Sequence, residues 1–462
     1  MAELRLDQIA EKTGGTILQG SPSLVVRDFN IDSRQMAPGG LFFAIVAQRD
    51  GHEYVHAAAE KGAAGAVISK PVPSAGKDFA LILVPDTLRA LQTLAKSVLA
   101  ERTVKVIGIT GSVGKTMTKE FAAALLSQKF HVLKSEGNYN NHLGLALSLL
   151  RIEPRHEAAV LEMGMSALGE IRTLTKIAPP DVAVITNIGP VHLEFLKTME
   201  NIAAAKKEIL DGTKENGLAV LNGDDPFVEK IAQDWKGRKI YFGFSRGCDI
   251  RVENIQKLGY DGFKFDLIYE KEKRRIRFPF LSEVYIYSLL AALGVARAFS
   301  LPLEKIEGAI QSLRPYAQRG ILLRLRKKII VIDDSYNSNP RALEAALRSF
   351  STLPARRKVA VLGDMLELGD AAAHFHEEAG EQAKRMGWDI LVTVGPLGRP
   401  MAKGARLAGM SPDRIFSFAT SDEAADHILS LLREGDLVLV KGSRGVRTET
   451  IVEKMKDTLK ET

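Results

Sequence analysis

The sequence predicts an α/β protein built from three domains. Its 462 residues correspond to about three domains of about 150 residues each. In two long segments, continuous apolar runs alternate with helical stretches, and such runs indicate parallel sheets covered by helices on both faces. A preceding segment mixes short strands and helices. We therefore expect domains at residues 1–98, 99–313 and 314–462.

The first segment contains several short elements. Strands are expected in G-G-L-F-F-A-I-V and in A-G-A-V-I-S, with a helix around residues 55–61 between them. The polar sequence F-N-I-D-S-R precedes both strands. This pattern predicts a small mixed α/β module.

The second segment contains the most informative motif of the chain, T-G-S-V-G-K-T. An apolar strand leads into Gly111 and Gly114, and a helix follows. Glycines allow the backbone to approach phosphate oxygens, and the helix N-terminus offers free N–H groups and the positive end of its dipole. Lys115 adds a point charge, and Thr116 adds a hydroxyl that can hold Mg²⁺. The motif therefore predicts a phosphate-binding loop.

This loop is shorter than the usual P-loop. A strict G-x-x-x-x-G-K-[ST] motif would need glycine where Ile109 stands. Four matching residues can occur by chance in a strand-to-helix turn. The apolar strand before the motif and the helix after it favour nucleotide binding.

Polar residues follow other strands of the second segment, for which we expect the ranges 104–110, 158–162, 182–186 and 218–222. Ligands of open parallel sheets bind at the carboxyl ends of the strands. Glu162 ends one of these strands, and His192 follows another. Both are suitable metal ligands beside a triphosphate. Alternatively, Glu162 caps a helix and His192 is an ordinary loop histidine.

One lysine of the second segment lies within an apolar helix stripe. Ile202, Ile209 and Leu210 define the stripe in the helix E-N-I-A-A-A-K-K-E-I-L. Lys206 is four residues from two of them and is predicted to point inward, whereas Lys207 can reach solvent. The alternative is a buried side-chain stem whose ammonium group extends to water.

The third segment repeats the strand and helix alternation. Strands are expected at residues 329–333, 359–363, 390–394 and 437–441, with helices between them. This pattern predicts a second open α/β domain. The dipeptide Arg314-Pro315 marks a plausible hinge before it.

The composition favours a soluble cytoplasmic enzyme. The net charge is +7, but the basic runs at 270–277 and 324–328 lie in strand-like segments without interleaved aromatic residues. Solvated strand faces, and no nucleic-acid partner, are therefore expected. The single cysteine, Cys248, excludes internal disulfides and fits a reducing compartment. No signal sequence or membrane span is expected.

Motifs along the whole chain resemble those of the ATP-dependent Mur ligases. The first segment has I-D-S-R, P-G-G-L-F-F-A-I and D-G-H-E-Y; the second adds G-N-Y-N-N-H-L-G, L-E-M-G-M, N-I-G-P-V-H-L-E and A-A-K-K-E-I; the third has D-D-S-Y-N-S-N-P, L-G-D-M-L-E-L-G and V-K-G-S-R-G. The resemblance implies a uridine-nucleotide module, a central P-loop ATPase-like parallel sheet with flanking helices, and a C-terminal Rossmann-like domain that closes on ATP.

The resemblance also implies roles for individual residues. Ser33 and Arg34 would bind the UDP group, with Asn138 and Asn141 at the substrate. The ATP site would consist of Gly111, Ser112, Gly114, Lys115, Thr116, Arg319, Asp334 and Asn337. The Mg²⁺ ligands would be Thr116, Glu162, His192 and a carbamylated Lys206. The catalytic residues would be Lys115, His192 and Lys206.

Within the family, the resemblance is to the member that adds a dipeptide. It implies a monomeric enzyme that joins UDP-N-acetylmuramoyl-tripeptide to D-Ala-D-Ala through an acyl phosphate, in peptidoglycan precursor synthesis. The chain lacks the D-N-P-R motif that is usual in the ligase for the third amino acid. A ligase of that type, a P-loop kinase and a non-catalytic nucleotide-binding protein are the alternatives.

One helix departs from the family pattern. Val284, Tyr285 and Ser288 stand where the family usually has His, Asn and Asn. Polar contacts to the adenine side of ATP are therefore replaced. Tyr285 or Tyr287 is expected to stack on the base, or else both are packing residues.

Overall fold

The computed structural model describes residues 3–73 and 75–460, and their strands form four sheets. Each of the three predicted segments contains one larger sheet, and the first segment also contains a two-stranded ribbon. Within the described residues, no helix is both long enough and apolar enough to cross a membrane.

The first segment is built on a five-stranded sheet. Its elements are β1 (Leu4–Arg5), α1 (Leu6–Thr13), β2 (Thr16–Gln19), β3 (Val25–Val26), β4 (Phe29–Asn30), β5 (Leu41–Phe43), α2 (Val55–Glu60), β6 (Gly65–Ile68), β7 (Ala80–Leu83) and α3 (Thr87–Ala100). The strand order is β2-β7-β6-β5-β4, and all neighbours pair in parallel except β2 with β7. The predicted mixed α/β module is confirmed.

Helix α3 joins the first segment to the second. Asp86 caps it by accepting a hydrogen bond from Arg89 N at 2.9 Å. Its apolar face includes Leu91 and Leu94, which belong to a core that also contains Leu145 of the middle segment. The boundary proposed after residue 98 lies in the last turn of this helix.

The middle segment forms a nine-stranded sheet. Its elements are β8 (Lys105–Thr110), α4 (Lys115–Leu126), β9 (Val132–Lys134), α5 (His142–Leu149), β10 (Ala158–Glu162), α6 (Glu170–Ile177), β11 (Val182–Ile185), α7 (Leu193–Leu196), α8 (Met199–Asp211), β12 (Leu218–Asn222), α9 (Pro226–Ala232), β13 (Arg238–Gly243), β14 (Ile250–Lys257), β15 (Phe263–Tyr269), β16 (Glu272–Phe278), α10 (Glu283–Ala298) and α11 (Leu303–Ser312).

The middle sheet is parallel along most of its width. The strand order is β16-β15-β14-β13-β12-β11-β8-β10-β9. Pairing is parallel from β9 to β14, as predicted, and antiparallel between β14, β15 and β16. In the edge strand β16, the consecutive residues Lys273, Arg274 and Arg275 are exposed, whereas Ile276 and Phe278 are buried. The predicted solvated strand face is thus confirmed for this basic run.

The third segment contains a six-stranded sheet. Its elements are β17 (Ile321–Leu325), β18 (Ile329–Asp333), α12 (Pro340–Ser351), β19 (Arg357–Gly363), α13 (Ala372–Arg385), β20 (Ile390–Val394), α14 (Gly398–Leu407), β21 (Ile415–Phe418), α15 (Ser421–Leu431), β22 (Asp436–Lys441) and α16 (Glu449–Leu459). The order is β17-β18-β22-β19-β20-β21, parallel except for β17.

Both faces of the third sheet are covered by helices. Ala360 and Leu362 of β19 pack into a core that includes α12, α13 and α14. Val359 and Val361 of the same strand pack into a second core with α15 and α16. Successive strand residues point to opposite faces, so an apolar run without polar interruptions is required here. The predicted open α/β fold is confirmed.

The single cysteine lies in the middle segment and is buried. Burial raises the pKa of the Cys248 thiol to about 11. At neutral pH the side chain is therefore an uncharged packing group, in agreement with the sequence-based interpretation.

Candidate active site

A cavity of about 680 Å³ lies between the middle and third sheets. The loops after β8, β10 and β11 form one wall, and residues at the ends of β18 and β22 form the other. Most of the predicted site residues line it: Ser112, Gly114, Lys115, Thr116, Asn138, Asn141, Glu162, His192, Arg319, Asp334 and Asn337. Gly111, Lys206, Ser33 and Arg34 are not among the lining residues.

The phosphate loop between β8 and α4 depends on two glycines. Gly111 has φ +148° and Gly114 has φ +90°, which are left-handed values that side chains rarely adopt. A Cβ atom on Gly111 would also lie 1.9 Å from Thr186 Oγ1. Since α4 begins at Lys115, directly after the loop, the free N–H groups of its first turn lie at the cavity.

The loop is held in place by the segment that follows β11. Asn187 accepts a hydrogen bond from Val113 N at 2.9 Å and donates one to Val113 O at 2.8 Å. Ser112 Oγ accepts from Gly189 N at 2.9 Å and donates to Gly189 O at 3.0 Å. Asn187 was not predicted as a site residue. A polar amide immediately after a buried strand was the signal for it.

Lys115 lies along its own loop. Its ammonium group donates to Gly111 O at 2.8 Å. Desolvation lowers the pKa of Lys115, the carboxylate of Glu162 raises it, and the positive charge of Arg319 lowers it. The Lys115 side chain thus lies beside the loop backbone, where phosphate oxygens would bind.

A group of oxygen ligands lies beside Lys115. Thr116 Oγ1 donates to Glu162 Oε2 at 2.8 Å and accepts from Arg319 Nη2 at 3.1 Å. Asn140, which the sequence did not single out, donates to Glu162 Oε1 at 3.0 Å. Hydroxyl and carboxylate oxygens are ligands that Mg²⁺ prefers, usually together with phosphate oxygens and water. Thr116 and Glu162 therefore fit a nucleotide-bound Mg²⁺.

Among the described residues, no group of three or more His, Cys, Asp or Glu side chains is arranged to hold a metal ion. A magnesium ion in this cavity would take the rest of its coordination from the nucleotide and water, as is common in phosphate-transfer sites.

His192 connects the two walls of the cavity. Its Nδ1 hydrogen-bonds to the carboxylate of Glu367, which belongs to the third segment. This bond lowers the pKa of Glu367. The geometry brings His192 into the cavity, as predicted, and adds Glu367 as a partner that sequence reasoning did not identify.

The third segment supplies a second charged group. Lys441 Nζ donates to Asp334 Oδ2 at 2.7 Å and to Asn337 O at 2.9 Å. The guanidinium carbon of Arg319 lies 4.3 Å from the centre of the Tyr336 ring, which is a cation–π distance. The predicted residues Asp334, Asn337 and Arg319 thus lie together opposite the phosphate loop.

Lys206 is buried beneath the cavity wall rather than exposed to it. Its side chain lies in α8, and the residue is 2% exposed. The adjacent Lys207 is partly exposed and pairs with Asp234. Among the described residues, the Lys206 amine has no hydrogen-bond or ion-pair partner. Burial holds the pKa of Lys206 well below its usual value, and the charge of Lys115 lowers it further.

The inward direction of Lys206 is therefore confirmed. Lys115, at the cavity wall, is close enough to affect the titration of Lys206. The carbamate itself stays a prediction.

Ser33 and Arg34 lie in the first segment and are not among the residues that line the cavity. Ser33 is buried. Arg34 has 86% of its side chain exposed and forms an ion pair of 2.8 Å with Asp32. This pairing lowers the pKa of Asp32 and leaves much of the guanidinium accessible.

The unusual helix α10 places only one of its two tyrosines at the cavity. Val284 and Tyr285 are lining residues. The Tyr287 ring instead stacks on Phe244 at 4.5 Å, and its hydroxyl donates to Asp224 at 2.9 Å. Tyr287 therefore has a packing role. Tyr285 is 7% exposed and packs 5.3 Å from the Phe280 ring, but it also lines the cavity and is the candidate for contact with the nucleobase.

Tyr285→Ala is expected to raise the KM for ATP by about tenfold. Its effect on the KM for the UDP-linked substrate should be much smaller. The reason is the loss of base stacking, which contributes about 1–3 kcal/mol. Steady-state kinetics with ATP and GTP measure this. Tyr285→Phe is one control, because it keeps the aromatic ring. Tyr287→Ala is the other, because it removes a ring that lies outside the cavity. An unchanged KM for ATP in folded Tyr285→Ala would rule out stacking.

Comparison with protein families agrees with this geometry. Residues 109–296 match the Mur ligase middle domain, and residues 319–444 match the Mur ligase, glutamate ligase domain. A relative named UDP-N-acetylmuramoyl-tripeptide--D-alanyl-D-alanine ligase, from Bacillus subtilis, is 35% identical and covers 98% of both chains. The Escherichia coli protein of the same name is 30% identical and covers 99% of both.

Solved structures show the same relationship. Crystal structure I of MurF from Acinetobacter baumannii has a TM-score of 0.90 and 28% identity, covering 99% of both chains. MurF ligase from Thermotoga maritima in complex with ADP has a TM-score of 0.82 and 30% identity, covering 94% of this chain and 97% of that one. The match extends over the first segment, the phosphate loop and the third sheet, and the chain belongs to the Mur ligase family.

Proposed function

We propose that this chain uses ATP to join D-Ala-D-Ala to UDP-N-acetylmuramoyl-tripeptide, forming an amide bond in peptidoglycan precursor synthesis. The observation that carries this proposal is a phosphate loop with Thr116 and Glu162 on one wall of a cavity and Arg319 and Asp334 on the other. Relatives with the dipeptide-adding name cover the chain almost completely, including its first 98 residues.

The alternatives are less similar to this chain. A folylpolyglutamate synthase from Mycobacterium tuberculosis matches 79% of this chain, at 16% identity and a TM-score of 0.64, which indicates a shared fold alone. A UDP-N-acetylmuramoyl-L-alanyl-D-glutamate--2,6-diaminopimelate ligase has 18% identity and a TM-score of 0.54. A kinase or a non-catalytic nucleotide-binding protein would leave the first segment and the two-walled cavity without a role.

The residues of the cavity suit phosphoryl transfer followed by amide formation. The loop N–H groups and Lys115 would hold the ATP phosphates, and Thr116 with Glu162 would hold Mg²⁺, which neutralises phosphate charge when bound. The tripeptide carboxylate attacks the γ-phosphate to form an acyl phosphate and ADP. The amine of D-Ala-D-Ala then attacks the acyl carbon, and phosphate leaves as the amide forms.

Water must be kept from the acyl phosphate. Contacts between the two walls serve this purpose, since Arg319 reaches Thr116 and Glu367 reaches His192. The connection around Arg314 joins α11 to β17 without regular structure, and we assign the hinge of domain closure to it. Domains at 1–98, 99–313 and 314–462 would then move as units.

The remaining assignments follow from the same reaction. Ser33 and Arg34 would bind the UDP group on the first segment, while Asn138 and Asn141 would face the peptide at the cavity. Both walls of the cavity come from one chain, which supports an active monomer. Since ATP and a UDP-linked precursor are the substrates, we expect the reaction to take place in the cytoplasm.

A substrate panel tests the proposal. UDP-linked tripeptides with diaminopimelate or lysine as the third residue would be combined with D-Ala-D-Ala. In separate reactions, a UDP-linked dipeptide would be combined with free diaminopimelate or free lysine. Mass spectrometry should detect a new amide only for a tripeptide with D-Ala-D-Ala. Amide formation on the UDP-linked dipeptide would instead assign the chain to the ligases that add the third amino acid.

A further inference from the structure

An arginine outside the cavity connects the third segment to the middle one. Arg341, the second residue of α12, donates two hydrogen bonds from Nη1, to Ile188 O at 2.8 Å and to Asp225 Oδ2 at 2.8 Å. It does not line the cavity. Unlike Arg319 and Glu367, it therefore contacts neither the nucleotide site nor a candidate metal ligand.

Its carboxylate partner is deeply buried. The Asp225 side chain is 1% exposed, and Arg341 is its only ion-pair partner among the described residues. Oδ1 caps α9 by accepting from Phe227 N and Val228 N, and Oδ2 also accepts from Ile188 N at 3.0 Å. A buried carboxylate is costly in free energy without a cation, and Arg341 supplies that cation. Because Asp225 and Arg341 both bond the backbone of Ile188, docking of Arg341 favours this arrangement of Ile188.

Ile188 lies between the two residues that hold the phosphate loop. On one side, Asn187 bonds both backbone groups of Val113; on the other, Gly189 bonds Ser112 Oγ twice. Arg341 also packs closely here, because a Cβ atom on Gly189 would lie 3.0 Å from Arg341 Cδ. One hydrogen-bonded segment thus links the third segment to the phosphate loop.

We propose that Arg341 is a positioning residue that couples docking of the third segment to the geometry of the phosphate loop, through Ile188 and Asp225. With the third segment undocked, Asp225 loses its cation and the Asn187 to Gly189 segment loses a donor. The loop then reaches its working geometry less often. The inference rests on the proposed function, since it takes this loop as the ATP site.

Arg341→Met tests the coupling, because methionine keeps an extended apolar side chain without the charge or the donors. We expect kcat to fall about tenfold or more, as for the loss of charge-assisted hydrogen bonds. The Kd of a non-hydrolysable ATP analogue, measured without the second substrate, should change less than about threefold. Arg341→Lys, which keeps a cation and donors, should recover much of the kcat.

Arg348→Met is the matched control on the same helix, since Arg348 is exposed and, within residues 3–73 and 75–460, forms an ion pair with Glu344 alone. It should leave kcat unchanged. Hydrogen exchange of residues 111–116 with the ATP analogue and UDP substrate bound should be faster in Arg341→Met than in the wild type or the control. This readout reports the Val113 N–H bond to Asn187 directly.

The outcomes separate the two proposals. Wild-type turnover on the two substrates tests the proposed function. If the wild type turns over, equal kcat and equal exchange in Arg341→Met overturn the coupling alone. An equal loss in Arg348→Met also overturns it. If Arg341→Met fails to fold, Arg341→Gln and Arg341→Lys are used for the test. A kcat and a hydrogen-exchange rate of Arg341→Gln equal to those of the wild type would contradict the coupling.

Discussion

Lys115→Ala is expected to lower turnover by about a hundredfold or more, the scale of losing one preorganised electrostatic donor in a phosphoryl-transfer site. The ammonium group lies 2.8 Å from Gly111 O, within the loop that precedes α4. Charge accumulates on the transferred phosphoryl group and on the leaving ADP, and a fixed cation here stabilises both. The fold should be retained, since the side chain lines a cavity.

ADP release in the presence of both substrates measures this effect, with thermal unfolding as the check on folding. Lys129→Ala, an exposed lysine just beyond the end of α4, is the control for loss of one positive charge. Near-normal turnover of Lys115→Ala would mean that the loop does not hold the reacting phosphate.

Lys206→Ala is expected to be nearly inactive yet folded. A buried ammonium group beside Lys115 would repel Mg²⁺, which is the counter-ion of the triphosphate. A positive charge on Lys206 is therefore the wrong charge for a metal site. The lowered pKa makes the neutral amine available, and the neutral amine is the form that reacts with CO₂. Carbamylation releases one proton and gives an anion next to Lys115, which suits a second Mg²⁺ ligand together with His192.

Labelled bicarbonate provides the measurement. Carbon-13 NMR of the wild type equilibrated with labelled bicarbonate should show a carbamate carbon that is absent in Lys206→Ala. Lys207→Ala, one position away and partly exposed, should keep both the signal and the turnover. A small carboxylate such as acetate is expected to restore part of the activity of Lys206→Ala. An active, bicarbonate-equilibrated wild type with unmodified Lys206 would contradict the carbamate.

The sequence predicted the parallel part of the fold closely and the antiparallel part poorly. Strands β10, β12, β18 and β20 have the predicted bounds, because strands buried on both faces require unbroken apolar runs. In β14, β15 and β16 one face is solvated, and charged residues interrupt the apolar pattern. The basic run at 270–277 was expected in a strand-like segment, but the pairing of these three strands was not predicted.

The same distinction applies to the candidate site. Lys115, Thr116 and Glu162 were predicted because a local motif and the end of a buried strand identify them. Asn140, Glu367 and Arg341 were not, since their roles depend on partners 22, 175 and 153 residues away. No local pattern encodes such contacts; they exist only once the sheets are assembled.

The most direct test of the account is the stoichiometry of ADP and amide product in one reaction. With UDP-N-acetylmuramoyl-tripeptide, D-Ala-D-Ala and ATP all present, the account predicts one amide bond formed for each ADP released. When either peptide substrate is omitted, ADP release should fall to slow leakage. ADP release at an equal rate without D-Ala-D-Ala, or release with no amide product, would contradict it.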